Sequence, residues 1–91
     1  MRVEWTRLAL ADIGSARAYI EKENPRAAGR MAERIQECVE SLLDFPAIGH
    51  PGRLFGTREL VVTGTPFIVV YWVRGSAIQV LRVLHHARKW P

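Results

Sequence analysis

Cysteine is nearly absent from this chain, and so is lysine. The lone Cys38 has no partner for an internal disulfide, and no Cys/His spacing resembles a zinc site. Both absences set the expectation of a reducing, cytoplasmic setting with no metal and no cofactor. No apolar run approaches the roughly 18–20 residues that cross a bilayer. The opening Met1-Arg2-Val3-Glu4-Trp5 lacks the apolar core of a signal peptide, so neither export nor membrane attachment is expected. Acid is scarce in one half only. Residues 45–91 carry six Lys/Arg against Glu59 alone, a balance of +5, and hold all three histidines. Residues 1–44 carry seven Lys/Arg against eight acids, a balance of −1. With Lys22 and Lys89 the only lysines, the net +4 is mostly arginine. Such a patch speeds encounter with nucleic acid or an acidic protein without choosing between them.

What is present fits one small fold. The 91 residues allow a single domain, 1–91, with no linker, and an apolar fraction of 48% excludes wholesale disorder. In the last third, three apolar runs (Leu60 to Val62, Phe67 to Val73, Ala77 to Leu84) are broken by Thr63-Gly64-Thr65-Pro66 and Arg74-Gly75-Ser76. Short Gly-containing turns between such runs predict an antiparallel meander. The cationic end His85-His86-Ala87-Arg88-Lys89-Trp90-Pro91 follows its last strand.

Two helices precede the meander. Arg2 to Trp5 is a candidate edge strand, and Thr6 a candidate N-cap for the helix that follows. Ala9, Ile13, Ala16 and Ile20 recur at +4, +3, +4 and line one helical face. Gly14 weakens that helix by roughly 1 kcal/mol relative to alanine, which predicts close packing against a neighbour. Asn24-Pro25 caps and opens a second helix, in which Ala28, Met31, Ile35, Cys38 and Leu42 form the apolar stripe, widened by Val39 and Leu43. Phe45-Pro46 stops it, and residues 47–57 read as a loop. The expected architecture is α+β: an antiparallel helix hairpin packed on a 3–4-stranded antiparallel sheet.

Strict alternation in the last strand puts Ile78, Val80, Arg82, Leu84 and His86 on one face, and Gln79, Leu81, Val83 and His85 on the other. Arg82 then stands among aliphatics and needs a carboxylate, carbonyls or water; Glu59 across the sheet is the structural candidate. The middle strand is apolar on both faces, which predicts a cover over the face opposite the helices: the chain's own tail, a second copy or a partner.

These residues together resemble a known family. The order of helix, Asn24-Pro25, helix ending in Phe45-Pro46, Arg58-Glu59-Leu60, Gly64-Thr65-Pro66-Phe67, Val70-Tyr71 and Leu81-Arg82-Val83-Leu84-His85-His86-Ala87-Arg88 is similar to the RelE/ParE superfamily of type II toxin–antitoxin toxins. The likeness covers nearly the whole chain. It implies a toxin with a helix hairpin on a sheet, often described as a plasmid stabilisation protein, and held silent in a hetero-oligomer with a cognate antitoxin. The superfamily holds two activities: RelE-like members cut mRNA, mostly on the ribosome, and ParE-like members inhibit DNA gyrase without chemistry of their own.

A metal-free ribonuclease needs a base for the 2′-hydroxyl, cations for the phosphate and an acid for the leaving oxygen. Arg58 and Arg82, with Arg53, are the candidate phosphate clamp, and His86, or His85, the candidate acid or base. Trp90 is a candidate to stack on a base. The few lysines and the modest +4 weigh against docking on a phosphate-lined ribosomal site. The ending Leu84-His85-His86-Ala87-Arg88 is closer to the ParE-like pattern. The favoured expectation is a gyrase inhibitor that blocks replication and arrests growth. Its target-binding residues would be drawn from Arg53, Arg58, Arg82, His85, His86, Arg88, Lys89 and Trp90, with the ribosome and mRNA as the alternative partners.

Overall fold

The computed structural model describes residues 1–86 and residue 90. The elements are β1 (Arg2–Trp5), α1 (Arg7–Glu21), α2 (Pro25–Ser41), β2 (His50–Pro51), β3 (Arg58–Val61), β4 (Phe67–Arg74) and β5 (Ala77–His85). Both helix starts follow the cap chemistry. The Thr6 hydroxyl accepts from the Ala9 amide and the Asn24 side chain from the Ala27 amide, each at 3.1 Å, with Pro25 opening α2.

The sheet has five strands in the order β1-β5-β4-β3-β2. The meander β3-β4-β5 is antiparallel as expected, but β1 joins the edge of β5 parallel, with Val3 opposite Ile78 and Trp5 opposite Val80. The sheet is therefore mixed, and one strand larger than the sequence indicates. No hairpin turn connects β1 to its partner, so nothing local fixes its direction. The additional strand, β2, is two residues inside the stretch expected to be loop, pairing His50 with Glu59 and Pro51 with Arg58.

One sheet face carries the helices. Ala9, Met31, Ile35, Val39 and Leu42 pack on Val62, Phe67, Val69, Tyr71, Ile78, Val80 and Val83, while Trp5, Ile13, Ala16, Ile20 and Cys38 close the margin of this core. The α2 stripe is thus centred on Val39 rather than Cys38, and Leu43 is exposed. Gly14 is exposed too, and a methyl group there would meet nothing within 4 Å. The expected close approach does not exist.

Alternation along β5 fails at a bulge. Val70 pairs with Arg82 but Tyr71 with Val80, so Leu81 is an extra residue on β5. The insertion reverses the phase. Ile78, Val80 and Val83 face the helices, and Gln79, Arg82 and Leu84 stand in register with Trp72, Val70 and Ile68 on the other side.

That outer face is covered by the chain itself. Trp90 closes over Ile68, Val70 and Leu84, beside Arg53 and Glu59, leaving no room for a water molecule. Toward β1 the cover is polar. The Arg74 guanidinium lies 3.7 Å from the centre of the Trp72 ring, the Trp72 indole N–H donates to Gln79 at 2.5 Å, and Gln79 donates to Glu4 at 2.9 Å.

Candidate target-binding surface

Among the described residues, Arg82 is the cation most firmly held by a carboxylate. Its Nε and Nη2 donate to the two carboxylate oxygens of Asp12 at 2.8 and 2.9 Å, a fork-to-fork pair. Asp12 Oδ2 also accepts the Val83 amide at 2.9 Å. β1 pairs only with residues 77–80 of β5, so the rest of that strand edge is open, and the α1 carboxylate takes one of its amides. The side chains are only 19% and 10% exposed, and the bond to Asp12 holds the guanidinium's pKa above its ordinary value against the opposing effect of burial. The carboxylate that neutralises Arg82 is therefore Asp12, not Glu59. Asp12 lies three residues after Ala9 and four before Ala16, on the flank of the α1 apolar stripe. That position was the available signal that its charge turns inward.

Glu59 serves Arg53 instead. Its carboxylate, 3% exposed, accepts the Arg53 amide at 2.9 Å and lies 3.6 Å from the Arg53 Nε. Arg53 Nη1 donates onward to the Trp90 carbonyl at 3.3 Å, and the Trp90 ring lies 5.5 Å from the Arg82 guanidinium carbon. The buried Trp90 Nε1 has no hydrogen-bond partner among the described residues.

Arg58 points elsewhere. It stands opposite Tyr71 in the sheet and donates to the carbonyls of Gly49 at 2.7 Å and Ala47 at 3.4 Å. The Tyr71 hydroxyl works on the same segment, donating to the Pro46 carbonyl at 2.8 Å and accepting the Gly49 amide at 3.0 Å. Burial pushes the Tyr71 phenol above its ordinary pKa, against the opposing pull of the Gly49 N–H and the Arg58 charge. A methyl at Gly49 would sit 2.8 Å from that hydroxyl, so only glycine fits. Arg58 and Tyr71 thus anchor the stretch between α2 and β2, a role that strand alternation alone does not announce.

His85 and His86 lie at the far end of β5. His85 packs edge-on against Phe67, with ring centres 5.9 Å apart, and stacks with His86 at 4.9 Å. The His86 amide donates to the Pro66 carbonyl at 2.8 Å, and its Nδ1 lies 3.0 Å from the same oxygen. The structure therefore gathers Arg53, Arg82 and His85 around the ground Trp90 covers. It sets Arg58 with residues 46–49 and ties His86 to the β3–β4 turn. Arg88 and Lys89 lie outside the described residues. Among the described residues no cluster of His, Cys, Asp or Glu is arranged to hold a metal ion, and no helix is long and apolar enough to cross a membrane.

A helix hairpin packed on a small sheet is the architecture that the resemblance to the RelE/ParE superfamily implies. The sequence model of the family described as "ParE toxin of type II toxin-antitoxin system, parDE" matches residues 3–90, and the chain belongs to that family. It is 41% identical to the putative toxin Y4kP of Sinorhizobium fredii over 90 residues, which span 99% of this chain and 93% of that protein. It is 39% identical to toxin RelE2 of Caulobacter vibrioides over 89 residues, spanning 96% and 97% of the two chains. Among solved structures, a chain of the chromosomal ParDE toxin–antitoxin system of P. aeruginosa superposes with a TM-score of 0.85 at 30% identity, covering 93% of this chain and 95% of that one.

Proposed function

We propose that this toxin, a single unit over 1–91, acts in the ParE manner. It binds DNA gyrase, blocks replication and performs no chemistry of its own. The observation that carries this reading is the commitment of Arg82. A cation that stabilises a phosphate in a transition state must offer its charge and donors to the substrate. Arg82 gives both Nε and Nη2 to a carboxylate that the fold holds at 2.8–2.9 Å. Arg53 is matched by Glu59, and Arg58 donates to two main-chain carbonyls of its own loop. Arg58 and His86 attach to different segments, residues 46–49 and Pro66, and do not converge on one scissile phosphate.

A cognate antitoxin completes the picture, as in the ParDE neighbour. The groove of about 510 Å³ between α2 and the β3–β4 turn, floored by Ile20, Met31 and Pro66 and edged by Arg30, Glu33 and Arg34, offers an amphipathic antitoxin segment both apolar seats and charged partners. The free toxin should melt at a lower temperature than the complex, because binding to the native state stabilises it.

One pair of assays tests the mechanism. Purified toxin is expected to inhibit gyrase supercoiling of relaxed plasmid and to leave mRNA on translating ribosomes uncut. Cleaved mRNA with supercoiling untouched would replace this reading by the RelE-like one.

A further inference from the structure

The loop joining β2 to β3 is built to present apolar side chains to solvent. Its backbone is tightly fixed. The Gly52 amide donates to the Thr57 carbonyl at 2.8 Å, and the Thr57 amide and hydroxyl both donate to the Leu54 carbonyl, at 3.1 and 2.6 Å. The Arg53 amide is held at 2.9 Å by the buried Glu59 carboxylate. A side chain at Gly52 would collide with the Thr57 hydroxyl, and Gly56 adopts φ +83°, where L side chains are strained. At the tip of this rigid frame Leu54 is 40% exposed and Phe55 wholly exposed. Neither contributes its full apolar area to the fold, so folding alone does not explain a fixed loop that carries them. A preorganised aromatic loses little conformational entropy on binding, which is the property of an interface anchor.

The surroundings select the partner. Arg53 is paired with Glu59, while Arg58 donates only to carbonyls and borders the tip together with Leu54 and Phe55. Among the described residues, Arg58 is the cation without a carboxylate partner beside the apolar tip, which matches a pocket with a carboxylate on its rim. It is too little charge for a nucleic-acid backbone, where affinity grows with each neutralised phosphate. The groove proposed above for the antitoxin abuts residues 64–66, beyond the opposite end of β3, so a segment seated there does not cover the tip.

We propose that the Leu54–Phe55 tip is the anchor by which the toxin engages its target protein, entering an apolar pocket with an acidic rim. The inference rests on the target-binding reading but not on gyrase being the target.

The test compares wild type, Phe55→Ser, Phe55→Leu and, as an exposed control on α1, Tyr19→Ser. Binding to purified DNA gyrase is measured by calorimetry, and growth arrest on induced expression is scored in parallel. Loss of a central aromatic anchor weakens binding by roughly thirtyfold or more. That loss is expected for Phe55→Ser, with partial recovery in Phe55→Leu, none in Tyr19→Ser, and unchanged melting and antitoxin binding throughout. The inference is overturned by wild-type gyrase affinity in Phe55→Ser. It is equally overturned if the variant instead loses antitoxin binding, self-association, or binding to a 20-base-pair duplex. If wild type does not bind gyrase, that target fails by itself. Growth arrest then decides: its loss in Phe55→Ser supports the tip with another target protein, and its retention overturns the tip.

Discussion

Replacing Asp12 by asparagine keeps the shape of the side chain and an oxygen able to accept the Val83 amide, but leaves the Arg82 charge without its counter-ion. Removing one partner of a fully buried ion pair costs about 3–5 kcal/mol. Here the guanidinium is 19% exposed and borders a groove of about 390 Å³ open to water, which lowers the expected cost to about 2–3 kcal/mol. In a domain of this size each kcal/mol shifts the melting temperature by about 4–8 °C, so Asp12→Asn should melt about 10–20 °C lower. A double-mutant cycle with Arg82→Met isolates the pair. Methionine retains the stem that packs beside the sheet, and a coupling energy of about 1.5–3 kcal/mol is expected. Thermal denaturation followed by circular dichroism supplies all four corners. A fall below about 3 °C for Asp12→Asn, or a coupling near zero, would mean that Arg82 is not held by Asp12 in solution, and the argument that its charge is already spent would collapse.

Tyr71→Phe removes the hydroxyl that bridges Pro46 and Gly49 and should cost about 1–3 kcal/mol by chemical denaturation. Because burial raises the folded-state pKa of this phenol, its contribution is complete below its unfolded value of about 10 and is lost as pH climbs through the folded value. Cys38, also raised by burial, adds a loss of the same sign starting near its ordinary thiol range. Alkaline melting curves of Tyr71→Phe should therefore decline less steeply than those of wild type. Trp90→Phe deletes a buried N–H without a described partner and should be neutral or stabilising, whereas Trp90→Ala should cost about 2–4 kcal/mol by uncovering Ile68, Val70 and Leu84. Gly14→Ala, placed in open space mid-helix, should stabilise by about 0.5–1 kcal/mol in the same denaturation assay.

The parts of the fold legible in sequence are those governed by local rules. Thr6 and Asn24-Pro25 cap their helices because an unpaired amide of the first turn needs an acceptor nearby. Gly64 and Gly75 punctuate the meander because their positive φ suits glycine. What stayed hidden depends on distant partners. The bulge at Leu81 leaves no mark in an alternating pattern, yet it moves Ile78 and Val80 to the opposite side from Arg82. The spacing from Ala9 and Ala16 places Asp12 on the flank of the α1 stripe, but its choice over Glu59 is made by how α1 crosses the open edge of β5. At the site, the sequence marked Arg53, Arg82, His85 and Trp90, which do lie near one another. It also marked Arg58 and His86, whose partners are Gly49 and Pro66. The Phe55 tip passed unnoticed because an apolar pair in a glycine-bracketed loop is ordinary until its exposure is seen.

The central claim is that this toxin works by binding, with Arg82 and Arg53 committed to carboxylates of its own fold. The most direct measurement is growth arrest by His86→Ala, since that imidazole is exposed, its only described polar contact is the Pro66 carbonyl, and it is the best acid or base a nuclease could recruit here. Arrest at wild-type potency is the predicted result. A well-folded His86→Ala protein that no longer halts growth, with mRNA cut by the wild type and left intact by the variant, would contradict it.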